Sequence, residues 1–292
     1  MIIDGKAIAQ EFQEETRAKV NGFTDRKPTL AVILVGDDPA SKVYVGMKAK
    51  QCHKIGMNSI DLPLASSISE EDLLQEIKKL NDDPEIDGIL VQLPLPSHIS
   101  VDKVIETISP EKDVDGFHPI NVGKMLIGNN TGFLPCTPHG IKVLLDRCDI
   151  DIEGRHVVIV GRSNIVGKPT AAILMQRAPR CNATVTVAHS YTRNLKEICR
   201  TADILIGAIG KPLFITEDMV KKGAVVIDVG INRVEDPSSK RGYRIVGDVD
   251  FEAVKDRCSH ITPVPGGVGP MTIAMLLHNT VLSYERRKTV PV

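Results

Sequence analysis

The chain has 292 residues, with 36 Lys and Arg against 37 Asp and Glu, and a formal net charge of −1. Its 42% hydrophobic and 25% charged residues are ordinary values for a globular protein, which excludes a disordered, collagen-like or coiled-coil chain. The balanced charge disfavours a nucleic-acid partner, and no apolar run approaches the ~18 residues of a membrane span. At this length about two domains are expected.

The cysteine and histidine spacing indicates neither disulfides nor a metal site. Six cysteines are scattered without a C-x-x-C pair, and the eight histidines lack the spacing of metal ligands. The N-terminus also lacks the order of a signal peptide. We therefore expect free thiols, a reducing cytoplasm and no bound metal.

Apolar runs alternate with helix-like segments over the first part of the chain. Leu30–Val35 predicts a buried strand, and Asp38 followed by Pro39 predicts the start of a helix that ends before Gly56. The next expected elements are a strand at Met57–Leu62, a helix opening at Ser69 and a strand at Ile89–Val91.

A second alternating series begins near Gly154. Its repetition of strand and helix with short connections predicts a mostly parallel sheet. The expected strands are His156–Val160, Thr184–Val187, Ile204–Ile206 and Val225–Val229. The expected helices are Gly167–Gln176, Asn194–Arg200, Thr216–Lys221 and a last helix at about Pro270–Glu285. The fold class is therefore α/β, with two α/β domains.

Lys48 is the first candidate for chemistry. Tyr44 and Lys48 are four residues apart and share one face of the first predicted helix. Burial, or the like charge of other lysines on this helix, would lower the pKa of Lys48 towards useful acid–base chemistry. An exposed Tyr/Lys pair with no function is the alternative.

Two polar segments follow in the same predicted domain. Gln92 comes directly after the strand Ile89–Val91, at the carboxyl end where ligands gather in open parallel sheets. A structural amide is the alternative for Gln92. Asp113 and Asp115 stand beside Gly116, where an aspartate either accepts two N–H bonds from a ring amidine or caps its own turn.

A glycine-containing turn predicts a nucleotide site in the second domain. Gly161-Arg162-Ser163-Asn164-Ile165-Val166-Gly167 joins a strand to a helix start, where backbone N–H groups can hold a dinucleotide pyrophosphate. It departs from G-x-G-x-x-G, because Ser163 replaces the second glycine and Gly167 comes one residue late. A Rossmann-like domain is thus expected, and a tight turn without a ligand is the alternative.

The segment after the next strand favours NADP over NAD. Val187–Arg193 lacks the carboxylate that holds the ribose 2′-OH of NAD. Ser190, Arg193 and Arg162 are able to meet a phosphate instead. A solvated surface charge is the alternative for Arg193.

The segment 262–272 is rich in proline and glycine. Three prolines and three glycines lie between positions 263 and 270, without the serines and charges of a flexible linker. Prolines stiffen a loop and glycines permit close approach of the backbone to a ligand. Pro263 and Gly267 are therefore candidate ligand contacts.

Together these segments resemble the bifunctional methylenetetrahydrofolate dehydrogenase/methenyltetrahydrofolate cyclohydrolase family over essentially the whole chain. The segments that carry the resemblance, in family order, are Tyr44-x-x-x-Lys48, Val91-Gln92-Leu93-Pro94-Leu95-Pro96, Lys112-Asp113-Val114-Asp115-Gly116, Pro135-Cys136-Thr137-Pro138, Gly161-Arg162-Ser163-x-Ile165-Val166-Gly167-x-Pro169 and Pro263-Val264-Pro265-Gly266-Gly267-Val268-Gly269-Pro270-Met271-Thr272.

The resemblance implies two reactions in one interdomain cleft. A hydride passes from 5,10-methylenetetrahydrofolate to NADP⁺, and the 5,10-methenyl product is hydrolysed to 10-formyltetrahydrofolate. It also implies a folate-binding catalytic domain (1–120 plus 270–292), an NADP-binding domain (121–269), a C-terminal helix that returns to the first domain, and a homodimer.

The resemblance also assigns residues. Lys48 is the central catalytic group, Gln92 orients and tunes it, Tyr44 stacks on the folate and Asp115 holds the pterin; Pro263 and Gly267 complete the expected substrate contacts. The expected cofactor contacts are Gly161, Arg162, Ser163, Ile165, Ser190, Arg193 and Ile231. Two other classes stay open: a different NADP oxidoreductase, such as a small-acid dehydrogenase, and a nucleotide sensor without catalysis.

Overall fold

The computed structural model describes residues 1–239 and 242–289, which form two compact units. The three-stranded unit comprises residues 10–136 and 273–289, and the five-stranded unit comprises residues 1–9 and 137–272. The domain boundaries expected from the sequence stay predictions, and residues 290–292 of the expected first domain lie outside the described residues. Within the described ranges, every helix is too short or too polar to cross a membrane.

The elements follow one another in α/β alternation. In chain order they are α1 (Gly5–Asn21), β1 (Thr29–Val35), α2 (Pro39–Lys54), β2 (Asn58–Leu64), α3 (Glu70–Asp82), β3 (Gly88–Val91), α4 (Val101–Thr107), α5 (Pro119–Leu126), α6 (Cys136–Arg147), β4 (His156–Val160), α7 (Gly167–Leu174), β5 (Thr184–Ala188), α8 (Leu195–Arg200), β6 (Ile204–Gly207), β7 (Val225–Asp228), β8 (Asn232–Glu235), β9 (Tyr243–Val246), α9 (Phe251–Val254), β10 (His260–Ile261) and α10 (Val268–Thr289).

The three-stranded unit is built on a parallel sheet with strand order β2–β1–β3. All residues of β1 and β3 are buried, as expected for strands of a parallel sheet that is covered on both faces. Leu73 and Ile77 of α3 belong to the same apolar cluster as Ile33 of β1 and Ile89 of β3. Because Ile33 pairs with Val91, the carboxyl ends of β1 and β3 lie side by side.

The five-stranded unit has a parallel sheet with strand order β10–β7–β6–β4–β5. The chain passes from β4 to β5 on one side and then returns to β6 on the other side of β4. The loops after β4 and β6 therefore diverge, and such a switch point is where open α/β sheets bind ligands at their carboxyl edge. Strands β8 and β9 form a separate antiparallel pair.

The predicted fold class is confirmed, and the expected strands are present as β1 to β7 within two residues of their predicted ends. The C-terminal helix also belongs to the three-stranded unit over residues 273–289, as expected. It is longer than predicted, because it begins at Val268 and reaches Thr289. Pro270 is tolerated there because residues in a first helical turn need no intrahelical N–H bond.

One predicted helix is wrong. The segment Thr216–Lys221 contains a single 3₁₀ turn at Glu217–Met219. The N–H groups of Met219 and Val220 bond to carbonyls three residues back, and Val220 then turns extended and buried. Burial of Val220 in the core thus overrides the local helical pattern.

Helix α1 is an element that the sequence analysis did not predict. Its buried positions Ala9, Gln13, Thr16 and Val20 follow helical spacing. Two of these four side chains are polar, so the apolar stripe that normally indicates an amphipathic helix is interrupted.

A buried carboxylate stabilises the base of the three-stranded unit. Asp87, which precedes β3, is fully buried and accepts two hydrogen bonds from the Arg26 guanidinium, at 2.6 and 2.7 Å. It also accepts the backbone N–H of Thr29 at 2.9 Å and a bond from Arg287 at 3.2 Å. One side chain therefore joins the start of β1, the start of β3 and the end of α10.

We predict that Asp87→Asn lowers the free energy of unfolding by about 3 kcal/mol, because it leaves two guanidinium groups without their buried counter-charge. The midpoint of urea unfolding, followed by circular dichroism, measures this loss. Glu85→Gln is the matched control, since the Glu85 carboxylate is 70% exposed and 3.8 Å from Arg26. Equal midpoints for the two variants would contradict the prediction.

Candidate active site

Helix α2 positions Lys48, and its ends are set by local sequence. The Asp38 side chain accepts the N–H of Ser41 at 2.7 Å, and Pro39 occupies the first helical turn. The helix ends before Gly56, whose φ of +82° is a conformation that glycine adopts without strain. These predicted caps are confirmed. Within the helix that they bound, Tyr44 lies one turn before Lys48.

Gln92 lies next to the Lys48 ammonium group. The Nζ of Lys48 donates a hydrogen bond of 2.9 Å to Oε1 of Gln92. The Gln92 backbone N–H still pairs with Ile33 of β1, and its side-chain amide donates to the carbonyl of Leu93 at 2.7 Å. The pairing with β1 and the bond to Leu93 hold the Gln92 side chain in position. Its Oε1 in turn orients the Lys48 ammonium group.

Asp115 also lies near Lys48, although it belongs to a different segment of the chain. The carbonyl of Lys112 accepts the N–H of Ile89, so the chain before Asp115 runs alongside β3. Gly116 has a φ of +74°, and a Cβ there would lie 2.7 Å from the backbone of Leu134. Only glycine fits this turn, which presents Asp115 beside the carboxyl end of β3.

The neighbouring Asp113 caps the turn. Its carboxylate accepts the backbone N–H of Phe117 at 3.2 Å, the N–H of His118 at 2.8 Å and the side-chain amide of Asn121 at 2.8 Å. The turn-capping alternative considered for Asp115 therefore applies to Asp113. Asp115 interacts electrostatically with Lys48 and with the Cys136 thiol, which donates its hydrogen bond to the carbonyl of Val114 at 3.3 Å.

Burial dominates the electrostatics of this cluster. It lowers the pKa of Lys48 from its ordinary value, and the negative charge of Asp115 acts in the opposite direction. Burial likewise raises the pKa of Asp115, against the favourable charge of Lys48. The site therefore holds a lysine that loses its proton more easily than a lysine in water.

Two cysteines lie in this cluster, and the sequence analysis assigned them no role. Burial raises the pKa of Cys52, one turn after Lys48, to about 12. Burial and the Asp115 carboxylate raise the pKa of Cys136 well above its ordinary value. Both groups stay protonated, which argues against thiolate chemistry. Cys136 stands in Pro135-Cys136-Thr137-Pro138, and that motif is the signal that would have found it.

The predicted phosphate turn joins β4 to α7 in the five-stranded unit. Gly161 has a φ of +138°, and a Cβ there would lie 2.0 Å from the carbonyl oxygen of Ala208. A Cβ at Gly167 would lie 2.3 Å from the carbonyl oxygen of Gly161. The hydroxyl of Ser163 accepts the N–H groups of Val166 and Gly167, at 3.1 and 3.3 Å. The serine thus closes the turn, and its O–H is able to donate to a phosphate.

The loop after β5 carries the residues expected near the adenosine phosphate. Ser190 and Arg193 are both exposed there. The guanidinium of Arg162, from the turn after β4, lies 5.8 Å from the ring centre of Tyr191. Since β4 and β5 are adjacent, both loops lie at one edge of the sheet. These exposed donors and the helix start of α7 fit a dinucleotide with an additional phosphate.

The remaining expected contacts lie in the same unit. Ile165 and Ile231 are apolar yet 43% and 52% exposed, which suits contact with a ligand. Pro263 and Gly267 also belong to this unit, whereas Lys48, Gln92 and Asp115 belong to the three-stranded unit.

The glycine at 267 has a packing role of its own. A Cβ there would lie 2.5 Å from the carbonyl oxygen of Pro263, and one at Gly5 would lie 1.9 Å from the carbonyl oxygen of Gly267. Backbone packing therefore already demands glycine at this position, whatever the ligand.

Comparison with known proteins covers both units. Residues 3–115 match the tetrahydrofolate dehydrogenase/cyclohydrolase catalytic domain, and residues 135–288 match its NAD(P)-binding domain. The bifunctional protein FolD of Protochlamydia amoebophila is 60% identical over 290 residues, 99% of each chain. The FolD protein of Chlamydia felis is 53% identical over 286 residues, 98% of this chain and 99% of that one.

Solved structures agree. The FolD methylenetetrahydrofolate dehydrogenase/cyclohydrolase of Campylobacter jejuni has a TM-score of 0.93 and 50% identity, covering 98% of this chain and 99% of its own. The Trypanosoma brucei enzyme, complexed with NADP cofactor and inhibitor, has a TM-score of 0.93 and 38% identity, covering 99% of each chain. The resemblance seen in the sequence is confirmed: the chain belongs to the tetrahydrofolate dehydrogenase/cyclohydrolase family.

Proposed function

We propose that Lys48, Gln92 and Asp115 are the working residues of a bifunctional methylenetetrahydrofolate dehydrogenase and methenyltetrahydrofolate cyclohydrolase. The chain is an NADP-binding enzyme of folate one-carbon metabolism by its family. The observation that carries the residue assignment is the partly buried Lys48 amine, which is hydrogen-bonded to Gln92 at 2.9 Å and interacts electrostatically with Asp115.

Hydrolysis needs a group that both takes and gives a proton. In the proposed step, water adds to the methenyl carbon while the neutral amine of Lys48 takes one of its protons. The protonated amine then gives a proton to the folate nitrogen N5 as the bond between that nitrogen and the carbon breaks. One water proton ends on the nitrogen, the other is released to solvent, and the product is 10-formyltetrahydrofolate.

Gln92 suits this role because it accepts only one N–H of Lys48. The remaining positions of the nitrogen are available to the water and to the leaving nitrogen. Burial supplies the other requirement, since the lowered pKa of Lys48 increases its neutral fraction at neutral pH.

Oxidation of the methylene compound needs mainly alignment of two rings. NADP⁺, when bound, accepts the hydride. We propose that Gly161, Ser163 and the start of α7 hold its pyrophosphate, and that Arg162, Ser190 and Arg193 meet its 2′-phosphate. The absence of a carboxylate in the loop after β5 favours NADP⁺ over NAD⁺. We further propose contacts from Ile165 and Ile231.

Recognition of the pterin and stacking on the folate are assigned to the three-stranded unit. The Asp115 carboxylate is able to accept two adjacent N–H groups from the amidine edge of a pterin. The side chain of Tyr44 is 37% exposed, which leaves its ring available for stacking on the folate. Pro263 and Gly267 stay proposed substrate contacts. We propose residues 1–120 plus 270–292 as the folate-binding domain and 121–269 as the NADP-binding domain.

Assembly and location are further parts of the proposal. The family resemblance supports a homodimer, which light scattering on the purified protein would measure. All six cysteines lie in the described part of the chain and are free thiols, which supports a reducing cytoplasm.

One spectrophotometric experiment tests the proposed activity. We expect the protein to accelerate the decay of methenyltetrahydrofolate and to form NADPH from methylenetetrahydrofolate. A small-acid dehydrogenase would reduce NADP⁺ with a hydroxy acid and leave the methenyl compound alone. A nucleotide sensor would bind NADP⁺ without turnover. Either of those outcomes contradicts the proposal.

The first prediction about the active site concerns the replacement of Lys48. Lys48→Met should reduce cyclohydrolase activity by about 10²- to 10⁴-fold, the usual contribution of a general acid–base group. Lys50→Met, an exposed position two residues along the same helix, is the matched control and should keep wild-type activity. Circular dichroism checks that both variants fold. Wild-type hydrolysis by a folded Lys48→Met variant would remove Lys48 from the mechanism.

The second prediction concerns pH. Gln92→Glu places a carboxylate at the Lys48 ammonium, which stabilises the cation and raises the pKa of Lys48 by about 1–3 units. The neutral amine then forms at higher pH, so the midpoint of the cyclohydrolase pH–rate profile should rise and the rate at neutral pH should fall. Gln92→Met removes the acceptor without adding charge and should show no such upward movement. An unchanged midpoint in Gln92→Glu would refute the tuning role.

The third prediction separates two neighbouring aspartates. Asp115→Asn should raise KM for both folate substrates by about tenfold or more, because one ionic hydrogen bond is worth about 1.5–3 kcal/mol. NADP⁺ affinity, measured by calorimetry, should stay near wild type. Asp113→Asn should instead lower the melting temperature, since three donors converge on Asp113. If Asp115→Asn melts several degrees lower and keeps its KM values, Asp115 is structural.

A further inference from the structure

A fully buried carboxylate lies at the carboxyl edge of the five-stranded sheet. Oδ2 of Asp248 accepts the backbone N–H groups of Ile209 and Gly210, at 2.7 and 3.0 Å. Oδ1 accepts the backbone N–H of Lys211 and the side-chain amide of Asn232, both at 2.9 Å. Both oxygens of this carboxylate are therefore occupied by donors of the chain itself.

The three consecutive N–H groups belong to the loop after β6. This loop borders the switch point between β4 and β6, and its residue Ala208 is the one that Gly161 of the phosphate turn approaches. Successive N–H groups that point to one place form a concavity that binds anions. Here Asp248 fills it, so the shape of the loop is fixed by an internal anion and does not depend on a bound ligand.

A second buried carboxylate fixes the turn after β7. Asp228 accepts the N–H groups of Gly230 and Asp248 at 2.9 Å and that of Val249 at 3.0 Å. A Cβ at Gly247 would lie 1.7 Å from Oδ2 of Asp228, so the backbone packs directly onto the carboxylate. Ile231 lies in this turn, and the side chain of Asn232 connects the turn to Asp248 by a hydrogen bond.

The position of these loops indicates which part of the cofactor they serve. The proposed pyrophosphate and 2′-phosphate contacts follow β4 and β5, whereas β6 and β7 lie on the opposite side of β4. The loops after β6 and β7 therefore fall at the nicotinamide end of a dinucleotide that crosses the switch point. Ring alignment matters most at this end, because a displacement of about 1 Å costs on the order of 10²-fold in rate.

We propose that Asp248, supported by Asp228, is a positioning residue of the dehydrogenase reaction that shapes the loops at the nicotinamide end of the cofactor site. This inference rests on the proposed function. The proposed role affects the dehydrogenase reaction selectively, since hydrolysis of the methenyl compound at Lys48 does not consume NADP⁺. A defect confined to these loops should impair one reaction of the chain and spare the other.

Asn is a poor substitute for Asp248. Two donors converge on each oxygen, so an amide NH₂ in either orientation would face two donors and leave them without an acceptor. We expect Asp248→Asn to raise KM for NADP⁺ and to lower the dehydrogenase kcat, together by about 10- to 100-fold in kcat/KM. Cyclohydrolase activity should stay within about twofold of wild type.

The matched control is Asp250→Asn, the same substitution two residues away. Asp250 caps α9 by accepting the N–H of Ala253 at 3.4 Å, and asparagine caps helices equally well. Both activities should be unchanged in this control. A second test variant, Asn232→Ala, keeps the three backbone bonds to Asp248 and removes only the tie to the turn that carries Ile231. It should raise KM for NADP⁺ about three- to tenfold without affecting hydrolysis.

The outcomes are distinguishable. An unchanged dehydrogenase reaction in folded Asp248→Asn, or a parallel loss of both activities with a lower melting temperature, would overturn the positioning role. If Asp248→Asn does not fold, Asn232→Ala decides, and an unchanged KM for NADP⁺ in that variant overturns the inference. Failure of the proposed function itself shows differently, as absence of both activities in the wild-type protein.

Discussion

An ammonium group that is removed from water must find acceptors or give up its proton, and the Lys48 site depends on this constraint. Gln92 supplies one neutral acceptor at 2.9 Å, and Asp115 supplies a nearby negative charge. Burial lowers the pKa of Lys48 while Asp115 limits the decrease. The resulting lysine is able to exchange a proton, whereas a full ion pair in direct contact would fix it as a cation.

Parallel sheets explain where the functional residues lie in each unit. The carboxyl ends of parallel strands share one edge, so Gln92 after β3 lies beside β1, and the segment before Asp115 runs along β3. In the five-stranded unit, the same rule gathers the turn after β4 and the loops after β5, β6 and β7. Local caps then set the details, as Asp38 does for α2 and Ser163 for the turn into α7.

Buried aspartates recur beside these edges and serve one physical purpose. Asp113, Asp228 and Asp248 each accept several N–H groups from loops that cannot pair within a sheet. A buried N–H without an acceptor costs about 1–3 kcal/mol, so these carboxylates allow irregular backbone to be buried. The division between Asp113 and Asp115 shows the benefit, since one aspartate closes the turn and its neighbour is left to interact with Lys48.

The sequence by itself determined the α/β class, the strands β1 to β7, the caps of α2 and the family, because these depend on local periodicity, turn chemistry and motif order. It also named Lys48, Gln92 and Asp115 as candidates, but each had an equally local structural alternative. Only the tertiary structure decided that Asp113 caps the turn, that Cys136 adjoins Asp115, and that Gly267 is required by backbone packing. Helix α1 and the 3₁₀ turn at Glu217–Met219 escaped prediction for the same reason. Burial of polar Gln13 and of Val220 depends on contacts between segments far apart in the chain, which local patterns do not record.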